Sequence, residues 1–160
     1  EIVLQFAPTP FIIDIQDDLP SVPLRPLSIK RLIVNLVNNA CRYGQPPIHI
    51  EIGIDDELQP TEQVVTDDTL TPEITSRQKY LTIKVSDEGQ GVAEDQLERI
   101  MQPFERGETA RTTQGSGLGL AIVSRITHLH NGSVIARNQP NGGGLVVVVN
   151  IPIIEWMIIE

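Results

Sequence analysis

The sequence predicts an α+β fold: a two-layer sandwich with a mixed sheet and helices on one face. Three observations lead there. Several runs alternate apolar and polar residues with period two, most clearly Ile48–Ile54 and Leu81–Val85. Two segments, Leu27–Tyr43 and Leu118–Leu129, repeat their apolar residues at helical spacing. The order is strand, helix, strand, strand, helix, helix, strand, strand, which suits helices gathered on one side of a sheet and not a doubly wound βαβ repeat. At 160 residues the chain suits a single domain, 1–160, with a core from about 10 to 152.

Each element has its own signature. Phe11–Ile15 follows Pro10 and is rich in β-formers, so it predicts the first strand. Asp17–Pro26 is turn-like, because Pro20, Pro23 and Pro26 bar a helix interior. In Leu27–Tyr43 the residues Ile29, Leu32, Ile33, Leu36, Val37 and Ala40 form one apolar helical face, and Gly44 ends the helix. Ile48, Ile50, Ile52 and Ile54 alternate with His49, Glu51 and Gly53, a strand with one buried face and His49 toward solvent. The stretch Asp55–Lys79 breaks the pattern. It carries seven acids against Arg77 and Lys79, together with Pro60 and Pro72, and has no apolar period. It reads as a flexible surface insertion over about 55–79. Leu81, Ile83 and Val85 then alternate with Thr82, Lys84 and Ser86 as another half-buried strand. Glu94–Met101 reads as a short helix with Leu97, Ile100 and Met101 on one side, and Phe104–Gln114 as a polar loop. Leu118–Leu129 is the second long helix, stopped by Asn131-Gly132. Ser133–Arg137 and Leu145–Ile151 form a hairpin across the glycine-rich Asn141–Gly144 loop. The oily tail Ile151–Glu160 reads as a last strand with an extension suited to packing on a partner.

Composition excludes several function classes. The formal net charge is −9, so the chain repels nucleic acid and anionic membrane as a whole. A polyanionic ligand would need local donors. The one cysteine, Cys41, cannot form an internal disulfide, has no zinc spacing around it, and sits in an apolar helical run as a small core residue. These features fit a reducing, cytoplasmic setting. No apolar stretch is long enough to span a bilayer, so direct membrane contact by this domain is not expected.

Three constellations could carry chemistry. Opposite the apolar face of Leu27–Tyr43 lies a stripe of Arg31, Asn35, Asn38, Asn39 and Arg42. Asn35, Asn39 and Arg42 fall within about 60° of one another at 100° per residue. Amides and a guanidinium aligned this way suit phosphates and a hard cation such as Mg²⁺; a plain solvated face is the alternative. Asp87 follows Leu81, Ile83 and Val85 in phase, so it points inward at a strand end, and Asp87-Glu88-Gly89-Gln90-Gly91 turns at once. A carboxylate there could accept from a purine amino group while Gly89 and Gly91 let backbone approach the ring; an Asx-turn is the alternative. Finally, Gly115-Ser116-Gly117-Leu118-Gly119-Leu120 opens a helix whose free N–H groups favour phosphate. It is neither a dinucleotide fingerprint nor a Walker loop, because the spacing and the Lys-Ser/Thr are missing.

Together and in this order, the three constellations resemble the Bergerat ATP-binding fold shared by histidine kinases, gyrase, mismatch-repair ATPases and a chaperone family. The resemblance runs from about Pro26 to Pro152. The boxes named N, G1, F and G2 in the kinases correspond to NLVNNACRYG (Asn35–Gly44), DEGQG (Asp87–Gly91), QPFERG (Gln102–Gly107) and GSGLGL (Gly115–Leu120). Phe104 with Arg106 favours the kinases, and PLSIKR with the RYG ending resembles the osmosensing kinases in particular. The resemblance implies that Asn39 binds Mg²⁺, that Asn35 lines the phosphate side, that Arg42 reaches phosphate and that Tyr43 packs on adenine or ribose. It implies that Asp87 accepts from the adenine amino group beside Gly89, Gly91 and Val92. A mobile lid over about 92–114, anchored by Phe104 and carrying Arg106 and Arg111, would lead into Gly115, Ser116, Gly117, Leu118, Gly119 and Leu120 around the phosphates.

The function implied is transfer of the ATP γ-phosphate to a histidine on a separate dimerisation domain, with a response regulator downstream and a parent protein anchored in the bacterial inner membrane. No phosphoacceptor motif accompanies the boxes; His128 and His130 flank a helix end and suit capping or surface roles. Two other readings stand beside it: an ATP hydrolase of the same fold, and a non-catalytic nucleotide-sensing module. The hydrolases place a water-orienting glutamate four residues before the metal-binding asparagine. Here that position is Asn35, which cannot act as a base.

Overall fold

The computed structural model describes residues 2, 6–58, 77–101 and 118–153. Five strands and two α-helices make up most of this part: β1 (Phe11–Ile15), α1 (Pro26–Tyr43), β2 (Ile48–Leu58), β3 (Arg77–Ser86), α2 (Gly119–Leu129), β4 (Ser133–Asn138) and β5 (Leu145–Ile153), with short 3₁₀ turns between them. The strands form one five-stranded sheet in the order β1-β2-β3-β5-β4. Only β1–β2 is parallel; β2–β3, β3–β5 and β4–β5 are antiparallel. This is the mixed α+β architecture expected from the sequence.

The alternating patterns decide which face is covered. Ile48 and Ile50 of β2, Leu81, Ile83 and Val85 of β3, and Val147, Val149 and Ile151 of β5 share one buried face. Leu32, Leu36, Val37 and Ala40 of α1 close over that face with Leu120, Val123 and Ile126 of α2. α1 starts at Pro26, where the missing N–H costs nothing and φ is already helical. It ends where the Gly44 N–H donates to the Ala40 carbonyl at 2.9 Å. Leu32 and Leu36 are fully buried, so truncating either to Ala would cost about 2–5 kcal/mol. The same helix therefore carries the core on one side and the polar stripe on the other, and the packing fixes where the stripe points.

α2 ends in a Schellman arrangement. Gly132 N–H donates to the Thr127 carbonyl and Asn131 N–H to the His128 carbonyl, both at 3.0 Å. Asn131, not Gly132, takes the left-handed conformation, at φ 55°. His130 does cap: its Nδ1 lies 2.8 Å from the Ile126 carbonyl, and its Nε2 accepts the Arg25 N–H at 3.4 Å. One imidazole thus ties the end of α2 to the start of α1, with the Nδ1–H tautomer required for both bonds. His128 is exposed.

Two expectations need correction. The strands β2 and β3 run into the segment expected to be a loose insertion, pairing through Asp55↔Tyr80, Asp56↔Lys79, Glu57↔Gln78 and Leu58↔Arg77. Backbone pairing continues there without an apolar period, so periodicity could not reveal it. The remainder of that segment, 59–76, lies outside the described residues, as does the tail after Ile153. Glu94–Met101 is not one helix but two 3₁₀ turns, Glu94–Gln96 and Arg99–Met101. Eight residues are too few to offset helix nucleation, and two tight turns bring Leu97, Ile100 and Met101 against the core equally well.

Candidate nucleotide-binding site

Asp87 sits where its phase predicted, at the inner end of β3, and is only 5% exposed. Its surroundings are mostly backbone. Gly89 N–H donates to Oδ1 at 2.8 Å, and the N–H groups of Gln45 and Leu145 also face the carboxylate. Burial is the larger influence and pushes the carboxyl above the usual aspartate range; the three N–H groups oppose it. Glycines allow this approach. A Cβ on Gly44 would overlap the Asp87 carboxyl group, and a Cβ on Gly144 would overlap both Oδ1 and the Asp87 carbonyl. A Cβ on Gly89 would lie 2.8 Å from Oδ1. Of the two carboxylate oxygens, Oδ1 is the one packed closest to these three positions.

The turn after Asp87 is held from β4. Asn138 clamps Val92 with both ends of its amide: Val92 N–H donates to Oδ1 at 2.8 Å, and Nδ2 donates to the Val92 carbonyl at 2.6 Å. Gln139 Nε2 donates to the Asp87 carbonyl at 2.7 Å. Gly91 needs its missing Cβ twice over, for φ +73° and because Asn138 Oδ1 lies against its Cα. On the outer side, Glu88 N–H donates to the Gln45 carbonyl at 2.8 Å, and Glu88 pairs with His49 at 3.1 Å. His49 lies on the solvent side of β2, as expected, partly covered by its contact with Glu88.

The polar stripe of α1 runs away from this turn. Tyr43, at its near end, is 42% exposed, and Arg42 is also exposed. Asn39 is half-buried and Asn38 exposed. Asn35, at the far end, donates from Nδ2 to the Arg31 carbonyl at 2.7 Å. Its Oδ1 lies 3.6 Å from where a Gly119 Cβ would be, so it faces the start of α2. The first turn of α2 contains no acid, so nothing there offsets the positive end of its dipole. α1 thus connects an inward carboxylate at Gly44 to a helix N-terminus at Asn35. Nine residues separate these points, roughly 13 Å along the axis, a span that a nucleoside triphosphate can bridge from base to terminal phosphate.

Asn35, Asn39, Arg42, Tyr43, Asp87, Gly89, Gly91, Val92, Leu118, Gly119 and Leu120 all lie in the described part; Leu120 is buried in the core and faces helix packing instead. Phe104, Arg106, Arg111, Gly115, Ser116 and Gly117 lie outside the described residues, as does the lid beyond Met101. Sequence reading missed Gly44 and Gly144 as walls around Asp87, and missed Asn138 and Gln139 altogether. Among the described residues no group of three or more His, Cys, Asp or Glu could hold a metal ion. A metal here would take one amide oxygen from the protein and the rest from water and phosphate, which is how Mg²⁺ binds with nucleotides. The amide stripe fits that manner of binding.

Residues 25–155 match the family described as histidine kinase-, DNA gyrase B-, and HSP90-like ATPase. The chain belongs to this family. Sensor histidine kinase GtrS of Pseudomonas aeruginosa is 35% identical over 121 residues, 76% of this chain and 20% of that protein. Sensor histidine kinase CpxA of Escherichia coli is 32% identical over 125 residues, 77% of this chain and 22% of that protein. The chain therefore spans about a fifth of the length of these relatives. Among solved structures, the histidine kinase domain of the E. coli osmosensor EnvZ aligns with a TM-score of 0.57 at 30% identity, covering 96% of this chain and 82% of that one. The mycobacterial sensor histidine kinase MprB shares the fold, with a TM-score of 0.67 at 19% identity over 94% of this chain and 88% of that one. The chain is an ATP-binding domain homologous to those of sensor histidine kinases. No helix among the described residues is long and apolar enough to cross a membrane.

Proposed function

We propose that this domain presents the ATP γ-phosphate to a histidine on a separate dimerisation domain. The observation that carries the reading is the polar face of α1, which offers Asn35, Asn39 and Arg42 while the whole helix contains no acidic residue. A hydrolase needs a base to orient water, and the Asn35 amide cannot take a proton. A neutral imidazole needs no such base. Its nitrogen attacks the γ-phosphorus in line, and ADP departs with the electron pair of the broken P–O bond. The domain's task is to position the phosphate and to stabilise its charge.

The residues divide that task along α1. Asp87 accepts from the adenine amino group through Oδ2, with Gly89 and Gly91 letting backbone lie close to the ring. Tyr43 covers the adenine or ribose, and Arg42 reaches the phosphates. Asn39 would hold Mg²⁺ and Asn35 lines the phosphate side; the ion, when bound, neutralises charge on the phosphates. The N–H groups at the start of α2, with Gly115, Ser116, Gly117, Leu118 and Gly119, cradle the terminal phosphates. Phe104, Arg106 and Arg111 belong to a lid over them. The downstream partner is a response regulator, and the parent protein is anchored in the inner membrane with this domain in the cytoplasm.

The test is transfer of labelled γ-phosphate from ATP to a supplied dimerisation domain, run beside ATP hydrolysis by the domain alone. Acid-labile label on the acceptor with very slow hydrolysis is expected. Multiple turnover at about 1 s⁻¹ or faster, an ordinary enzyme rate, with no label on the acceptor, would overturn the reading.

A further inference from the structure

The geometry points to Asn138 and Gln139 as positioning residues that set the base selectivity of the nucleotide site, by fixing the turn that carries Asp87. The inference rests on the reading of Asp87 as the adenine acceptor. Neither residue belongs to the four sequence boxes. Both stand at the end of β4, about fifty positions downstream of the turn they hold.

The turn from Asp87 to Val92 leaves the sheet at the end of β3; on its outer side Glu88 N–H donates to the Gln45 carbonyl in the α1–β2 loop, and the Glu88 side chain meets His49 of β2. Its inner side has a different support. Gln139 Nε2 donates to the carbonyl of Asp87 at 2.7 Å, at the start of the turn. Asn138 pairs with both polar backbone groups of Val92, at 2.8 and 2.6 Å, at the end of it. Two adjacent side chains thus hold both feet of one loop. The Asn138 amide acts as an extra rung of the sheet beyond the last residue of β4. Its orientation is determined, because Oδ1 accepts an N–H while Nδ2 donates to a carbonyl. The β4–β5 loop completes the frame: Gln139 N–H donates to the Gly144 carbonyl at 2.9 Å, and Gly144 packs against Asp87 itself.

The consequence concerns geometry more than stability. On the reading of Asp87 as the adenine acceptor, Asp87 and the backbone at Gly91–Val92 would flank the base. A hydrogen bond weakens steeply when its angle falls, so discrimination between a 6-amino and a 6-oxo purine depends on how firmly Oδ2 is aimed. Release of one foot of the turn would leave phosphate contacts along α1 and α2 in place while loosening the aim at the base. ATP affinity would fall, GTP affinity would change little, and the ratio between them would shrink.

The experiment compares ATP and GTP binding by calorimetry for the parent, Asn138→Asp, Asn138→Ala and Gln139→Met, with thermal melting of each. Asn138→Asp keeps the acceptor for Val92 N–H but sets a carboxylate oxygen against the Val92 carbonyl. Gln139→Met keeps volume and loses the donor, and remains informative if the Asn138 variants fail to fold. The expected result is a fall of about 5- to 30-fold in ATP affinity, the loss of one to two hydrogen bonds, with GTP affinity within about twofold of the parent. Equal losses for both nucleotides, or no loss in any folded variant, would overturn the inference, since a purely structural role lowers all binding together. A parent protein that does not prefer ATP over GTP would refute the Asp87 reading beneath it, an outcome distinct from a preference that the variants leave untouched.

Discussion

Three consecutive glycines in the β4–β5 loop should respond differently to the same added methyl group. At Gly144 a Cβ would overlap Asp87 Oδ1 and the Asp87 carbonyl, and would lie 2.6 Å from the Gly89 nitrogen. Two of these three atoms are backbone, so no flexible side chain can yield. The cost is that of overpacking, about 1–3 kcal/mol, or about 2–12 °C in Tm for a chain of this size. At Gly142 a Cβ meets nothing within 4 Å, but φ is +74°; the penalty is the left-handed conformation alone, about 1–2 kcal/mol. At Gly143, φ is −68° and the nearest atom would be Gln139 Cβ at 3.4 Å, an ordinary contact. Alanine there should be neutral or stabilise by about 0.4–1 kcal/mol through the unfolded chain. Urea unfolding of the three variants, with ATP titration of each, separates the causes. Gly142→Ala should lose stability and keep ATP binding at temperatures where it is folded; Gly144→Ala should lose both; Gly143→Ala should lose neither. A Gly144→Ala protein as stable as the parent and binding ATP normally would show that the close packing around Asp87 is wrong.

The remaining predictions are narrower. Asn39→Ala should leave melting nearly unchanged and abolish Mg²⁺-dependent phosphoryl transfer; near-normal labelling by the folded variant would refute the metal role. Asn131→Gly, at φ 55°, should stabilise α2 by up to about 1 kcal/mol in urea titrations. His49→Gln should cost at most about 1 kcal/mol, because the pair with Glu88 is partly exposed; a larger loss would mean that the pair holds the turn. Burial raises the folded pKa of Asp87, so the stability linked to its proton is present below about 3.9, the unfolded value, and is lost as pH rises through the folded value. The stability of Asp87→Asn relative to the parent should therefore rise with pH across that window in paired urea titrations, and a flat difference would contradict it.

What the sequence made legible follows from which forces are local. α1, α2 and the core phases of β2, β3 and β5 were readable because burial of Leu32, Leu36, Val37, Ile83 and Val149 imposes a period on the chain itself. Asp87 was readable for the same reason, as the continuation of a buried phase. The outer halves of β2 and β3 were not: Asp56 faces Lys79 across the ladder, and backbone pairing with polar side chains leaves no hydrophobic signal. The short segment after Ala93 has helical spacing, but length and local turns decided against an α-helix. The walls of the Asp87 site were the least legible part. Gly44 already had a local explanation as a helix stop, and Gly144 as a hairpin glycine. Asn138 looks like any polar strand end. Their second roles arise only when residues some fifty positions apart are brought to one turn. A loop with more consecutive glycines than its reversal needs was the available signal.

The cost of Asp87 to the free protein explains why it is held as it is. A carboxylate that is 5% exposed and displaced above its usual pKa range is disfavoured in its charged form by burial. Left mobile, it would swing toward water and lose its direction. The glycines at 44, 89 and 144 let backbone close around Oδ1, and the N–H groups of Gly89, Gln45 and Leu145 satisfy it without supplying a counter-charge. A lysine or arginine in their place would neutralise the group and remove its reason to bind a donor. In the proposed role as adenine acceptor, a carboxylate held this way would already be oriented, so little ordering would remain to oppose binding. At the other end of α1, Asn35 and the first turn of α2 would offer dipoles and no charge to phosphates bound as proposed. Gly44 beside Asp87 and Asn35 beside the start of α2 belong to one helix whose opposite face is locked in the core, so in the proposed role the distance between base and phosphates would be set by the same packing that makes the domain fold.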